Sequence, residues 1–222
     1  SVPDGPLPRT RHTTLLASFD SPDTNGAQFA RTYGAEVGVG GLPDAPGKWD
    51  GGVAVESPGG AVRFGGLDNY SPRVGTAEFW AQSRAAEPVW GDGKEHWLLV
   101  LYPERAGAPP RDGMSPHFIT LRKTSANELE LRVVNQTVAH YAAGVSLRDG
   151  RGWALSVPAA ALDASVWHHV LVSWDLRGRG RLWLTVDGEW RTAPLGLRPD
   201  APAQNPGLAV LLGGLWGLPG DD

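Results

Sequence analysis

Short apolar runs broken by Gly, Pro, Asn and Asp recur along this chain, the pattern of an all-β protein. The densest occupies residues 164–192, ASVWHHVLVSWDLRGRGRLWLTVDGEWRT. Its segments 166–174 and 181–186 are rich in Val, Leu and Trp, which favour a pleated, half-buried backbone. The polar, glycine-bearing stretch 176–180 suits a reversal between them. Asp187-Gly188 suits a second, because Gly takes positive φ freely and Asp better than most residues. Three consecutive antiparallel strands are therefore expected here.

Elsewhere the same logic places a first strand at 13–19, ending at Asp20, and an irregular Gly/Pro segment at 38–47. Segments 53–56 and 61–64 read as a strand pair across Pro58-Gly59-Gly60. A strand at 75–81 puts Glu78 and Trp80 on one face and Ala77, Phe79 and Ala81 on the other. Residues 90–96 form a turn-rich loop before a strand at 97–102, and 103–116 read as a surface loop. A hairpin at 118–121 and 129–134 turns through 124–127. In it Leu129, Leu131 and Val133 alternate with Glu128, Glu130 and Arg132, as a half-buried strand requires. Further strands are expected at 153–157 and 207–212, with a single helical turn at 158–163.

Several of these stretches carry a family likeness. WHHVLVSWD followed by LTVDG, together with GTAEFWA, GKWDGGV and WGDGKEH, resembles the laminin-G-like jelly-roll domains. These belong to the concanavalin A-like lectin/glucanase group, and the likeness is to a bacterial subgroup. The resemblance runs from about residue 15 to 214. It implies an all-β, two-sheet antiparallel jelly-roll sandwich, with residues 1–12 as an N-terminal extension and 13–222 as one domain. The family's closing strand, roughly I-D-[DE]-x-R-I, has no counterpart before Asp222. That strand is expected beyond this residue or from a neighbouring molecule, leaving a sheet edge open to pairing. The resemblance also implies a structural Ca²⁺ held by Asp20 and a backbone carbonyl near Gly51, oxygen ligation being what this cation takes. Otherwise Asp20 caps a turn.

Composition narrows the function. A chain of 222 residues with 41% hydrophobic content suits one sandwich with long loops. Apolar runs are too short to cross a bilayer, so membrane insertion is not expected. A net charge of −4 offers no electrostatic case for nucleic acid. With no cysteine, disulfides and thiolate chemistry are excluded. The opening SVPDGPLPRTRH is polar and unlike a signal peptide, so either none exists or it has been removed, and an extracellular or cell-surface location is the expectation.

Ten tryptophans, against about three at average usage, direct attention to stacking. Trp49, Trp80, Trp167, Trp174 and Trp183 fall at family framework positions or in strands and are expected in the core. Trp90, Trp153, Trp190 and Trp216 lie in or beside turns and, with Tyr141, are the candidate ligand-binding residues, since an exposed indole can stack on a sugar's C–H face.

Catalytic chemistry finds less. The laminarinase-like relatives carry E-x-D-x-x-E on a strand, and the nearest match here is Glu128-Leu-Glu130, side chains ~6.5 Å apart on one face. The third acid is missing, and Arg122 and Arg132 are expected to neutralise that face. His168 and His169, adjacent on a strand, point to opposite faces and cannot chelate one ion. Gly38-Val-Gly40-Gly41 is followed by prolines instead of a helix, unlike a phosphate loop. The expectation is thus not an enzyme but a recognition or adhesion module binding glycan or an extracellular protein, within a larger bacterial surface or secreted protein. Two alternatives stand beside it. One is a structural subunit that self-associates through the open edge into an array or filament; the other is a divergent glycoside hydrolase or lyase.

Overall fold

The structure is a computed structural model, and it describes residues 2–7, 10–11, 13, 15–17, 27–30, 35–37, 44–49, 51–55, 62–65, 71, 73–83, 88–103, 117–135, 152–177, 180–194 and 208–212. Its strands in the first half are β1 (Leu15–Ala17), β2 (Ala27–Ala30), β3 (Ala35–Val37), β4 (Asp44–Pro46), β5 (Gly51–Val53), β6 (Val62–Gly65), β7 (Val74–Ala81) and β8 (His96–Pro103). Those in the second half are β9 (His117–Lys123), β10 (Glu128–Asn135), β11 (Gly152–Pro158), β12 (His168–Asp175), β13 (Arg181–Val186), β14 (Glu189–Pro194) and β15 (Leu208–Leu212). A seven-stranded sheet runs β11-β10-β9-β8-β15-β6-β3 and a four-stranded sheet runs β14-β13-β12-β7. The pairs β1-β2 and β4-β5 stand apart from them. All pairings are antiparallel. The protein is all-β, a two-sheet antiparallel jelly-roll sandwich.

Alternation builds the sandwich. Leu129, Leu131 and Val133 of β10 are fully buried, and they join a core with Val170, Val172 and Trp174 of β12 and Leu182 and Leu184 of β13. Burying side chains of this size stabilises by roughly 1.5–3 kcal/mol each, so the seam between the sheets dominates the fold's stability. Two-residue reversal at Asp187-Gly188 sets the register of β13 against β14, with φ of 50° and 85°, the left-handed pair that a tight hairpin demands. The Asp187 carboxylate also accepts the His169 backbone N–H at 2.8 Å and bonds His168 Nδ1 at 2.6 Å, tying the turn to β12.

Most expected strands are present, with three departures, the first being that β2 and β3 occupy a stretch where no strand was expected. Residues 44–46, read as irregular, pair with Gly51–Val53. The expected hairpin of 53–56 with 61–64 does not form, because β6 pairs instead with β15 on one side and β3 on the other. A central place in a large sheet satisfies both edges of β6, which a local hairpin could not do. The 158–163 segment closes one turn, Leu162 N–H donating to the Ala159 carbonyl at 2.9 Å.

The two faces of the large sheet are both shielded near its middle. Thr120 and Val100 stand opposite each other on β9 and β8, on the side away from Leu121 and Leu99. Yet Val100 is 0% exposed and Thr120 1%.

Candidate functional site

The outward face of the four-stranded sheet presents a different surface. Register places Glu78, Leu171, Thr185 and Trp190 in one row across β7, β12, β13 and β14. The next row is Thr76, Ser173, Trp183 and Thr192. On the other side of the first row, Trp80 faces His169. These positions alternate with the core residues Phe79, Val170, Val172 and Leu184, which is why they point away from the seam.

Trp190 is the most exposed large apolar side chain here, at 58%. Trp183 lies diagonally beside it, half-buried, with the Arg181 guanidinium 5.9 Å from its ring centroid. At the far end Trp80 packs edge-on against Trp49, centroids 5.4 Å apart, and tilted against the His169 ring at 4.9 Å. Trp49 and Lys48 occupy the bend between β4 and β5, and Lys48 Nζ lies 2.8 Å from the Trp80 ring centroid. Burial beside the rings pulls the Lys48 ammonium below the usual lysine range, against the opposite pull of Asp187 and Asp4. Residues near the N-terminus reach this end of the sheet, since a Cβ built on Gly188 would lie 3.4 Å from Val2 Cγ2.

His169 is 3% exposed, and its Nε2 hydrogen-bonds the Glu78 carboxylate at 2.7 Å. His168, on the opposite face as alternation requires, bonds Asp187 and the Asp163 carbonyl and meets the Trp90 ring edge-on at 5.9 Å. The two histidines therefore share no ligand position.

The expected binding residues fare unequally. Trp90 was expected at an exposed turn and is instead 2% exposed. Its short 3-10 turn, Val89–Gly91, folds the indole into the core cluster, so it offers no face to a ligand. Trp153 lies in β11 opposite Val133, its side chain outside the described residues. Tyr141 and Trp216 also lie outside them, as does Asp20. Gly51 opens β5 opposite Pro46. Among the described residues no three His, Asp or Glu gather as metal ligands, and Asp20 of the implied calcium set lies outside those residues. Of the five tryptophans assigned to the core, Trp174 is buried at 2%, whereas Trp49 is 38% exposed and Trp80, Trp167 and Trp183 are half-buried.

On the large sheet, Glu130 does not stand as a free acid beside Glu128. Arg122 binds it at 2.8 Å and binds Glu95 at 2.6 Å, while Trp97 Nε1 donates to Glu95 at 3.1 Å. A guanidinium held between two carboxylates occupies both, the charge-neutralised face expected for this strand.

No family profile matches the chain, and no curated protein does. Solved structures match by fold. The chain is similar to an endo-β-1,4-glucuronan lyase from Trichoderma reesei, with 14% identity, TM-score 0.49, 78% of this chain and 74% of that one covered. It is similar to an endo-1,3-β-glucanase from Streptomyces sioyaensis, with 15% identity, TM-score 0.44 and 78% of this chain covered. The binding domain of Paraclostridial mosquitocidal protein 1 is similar at 13% identity, TM-score 0.46, with 90% of this chain and 47% of that one covered. The chain spans only 62% of the Streptomyces glucanase. At these identities the likeness concerns the fold. It does correct one expectation: the similar structures are mostly glycoside hydrolases and lyases, so the statement that this chain is not an enzyme does not stand. No helix of the described residues is long and apolar enough to cross a membrane.

Proposed function

We propose that this chain is a glycan-handling jelly-roll domain of the laminin-G-like, bacterial kind, working outside the cell and taking a sugar chain on the outward face of its small sheet. One observation carries the reading: Trp190, 58% exposed, stands in a single cross-strand row with Thr185, Leu171 and Glu78. An exposed indole offers a flat apolar platform to the C–H face of a pyranose, while Thr, Ser and Glu in the adjacent rows serve its hydroxyls. The row crosses three strand spacings, about 14 Å at ~4.8 Å each, so the face suits an oligosaccharide more than a single sugar.

Cleavage of that glycan, as a divergent hydrolase or lyase, is the second reading. It is favoured by the His169–Glu78 pair on the same face, an imidazole and a carboxylate 2.7 Å apart. Such a pair can orient a carboxylate for proton transfer.

Affinity electrophoresis through gels containing laminarin, xylan, polyglucuronate or alginate tests both. Retardation in at least one gel is expected. Trp190→Ala should weaken it about tenfold or more while leaving the unfolding midpoint unchanged, because the residue is on the surface. Equal mobility of wild type and Trp190→Ala in every gel would remove the reading. Release of reducing ends or of unsaturated products from the retarding polymer, lost in Glu78→Gln, separates the second reading from binding alone.

A further inference from the structure

Three buried polar atoms on this face have no hydrogen-bond partner among the described residues: Trp80 Nε1, His169 Nδ1 and Thr185 Oγ1. They sit on neighbouring strands. Trp80 and His169 are directly paired across β7 and β12, and Thr185 of β13 is diagonal to His169, opposite Leu171. His169 and Thr185 are each 3% exposed. Leaving a buried polar group unpaired is unfavourable, so three on one patch of a small sheet are a substantial standing cost.

Their chemistry is specific. Indole N–H only donates. The Glu78 carboxylate only accepts, so His169 Nε2 carries the hydrogen of that bond and Nδ1 is the ring's remaining polar atom. A threonine hydroxyl does both. Completing that set takes more than one hydrogen-bonding role, and an alcohol, which both donates and accepts, supplies them in one group. A carboxylate only accepts and would also face the Glu78 carboxylate.

We infer that Trp80, His169 and Thr185 form a hydroxyl-reading subsite for a neutral glycan, next to the Trp190 platform and with the displaceable Lys48 side chain lying over Trp80. The inference rests on the glycan-handling reading and adds to it the class of sugar and the residues that read it. Lys48 lies over the face of Trp80 on a flexible stem at the tip of the β4–β5 bend. Swinging it aside uncovers the aromatic face of Trp80, with Trp49 as an adjacent wall.

The test uses the whole chain with laminarihexaose as the neutral probe and a guluronate hexamer as the anionic one. Thr185→Val removes the hydroxyl at constant shape, and Trp80→Phe removes the indole N–H. Each should weaken binding of laminarihexaose about 3- to 10-fold, the worth of one neutral hydrogen bond, with the unfolding midpoint of Thr185→Val equal to or above wild type. In the unaltered protein, the indole N–H resonance missing from Trp80→Phe should shift on saturation with laminarihexaose and stay put with the guluronate hexamer. Binding that is lost in Trp190→Ala but unchanged in Thr185→Val and Trp80→Phe, with no indole shift, would overturn the subsite and leave the platform standing. Preference for the guluronate hexamer would overturn the neutral-sugar assignment alone. Wild type that binds neither hexamer and is retarded by no polymer would remove the platform and the subsite together.

Discussion

Replacing Asp92 with Asn is expected to destabilise the protein by about 3–5 kcal/mol, the cost of stranding a buried charge without its partner. Lys123 is 0% exposed, although lysine is almost never fully buried alone. Its ammonium is held by the Asp92 carboxylate and by the Lys94 carbonyl at 3.0 Å. Asp92 is itself fully engaged, accepting the Lys94 N–H at 2.9 Å and binding His96 Nε2 at 2.6 Å. The turn 92–96 is thereby locked onto the β9–β10 hairpin, with Gly93 N–H donating to Asn127 at 2.9 Å as a second tie. Urea unfolding at neutral pH measures the effect as a lower midpoint at constant slope. Adding Lys123→Met to Asp92→Asn should recover most of the loss, because the stranded charge goes with it.

The same carboxylate gives a pH signature. Burial alone would push the Asp92 pKa up, but hydrogen bonds from Lys123, the Lys94 N–H and His96 outweigh it and hold the group well below the usual carboxylate range. A depressed folded-state pKa contributes stability that is complete above the unfolded value, 3.8 for Asp. It is lost as pH falls through the folded one. Wild type should therefore lose this contribution only below about pH 4, and the difference between wild type and Asp92→Asn should shrink there. A difference constant down to pH 2 would deny Asp92 this role.

Trp174→Ala should cost about 3–5 kcal/mol, the usual penalty for emptying a large aromatic site in a core. The ring is 2% exposed at the seam between the sheets, and its Nε1 donates to the Ser71 carbonyl at 2.9 Å. Gly75 shows how tight the site is, since a Cβ added there would lie 2.5 Å from Trp174 Cζ2. No side chain at position 75 can coexist with this indole in place. Gly75→Ala should accordingly cost about 1–3 kcal/mol by overpacking. In a Trp174→Phe background the same change should cost less, because the smaller ring frees the space. The double-mutant cycle reads that difference directly, and additive effects would contradict the contact.

Local alternation was legible in the chain. The Leu129, Leu131, Val133 series, the Val170 to Trp174 series and the Asp187-Gly188 reversal each follow from spacing within a few residues, and each is present as read. Pairings between distant segments were not legible. Nothing in 61–64 announces that β6 lies between β15 and β3, and the Pro58-Gly59-Gly60 turn signal pointed to a hairpin instead. The tryptophans divide on the same ground. Trp174 is buried by its own strand's alternation, which spacing reveals. Trp90 is buried because its turn folds inward, and Trp49 is exposed because its bend lies across Trp80. Both depend on what packs above them. The candidate site was half visible: Trp190 beside its turn and Glu78 with Trp80 on one face could be read from spacing. The link from Glu78 to His169 spans 91 positions and needed the register of β7 against β12.

Val100 and Thr120 lie where the large sheet is dry on both sides, and that bears on how the molecule breathes. Solvent cannot reach the backbone there by rippling one layer; both coverings must part. Amides of β8 and β9 are then the last to exchange with deuterium, at a rate set by opening of the entire molecule. The four-stranded sheet, whose Trp190 edge is open to water, can loosen there piecemeal while that slow centre stays intact.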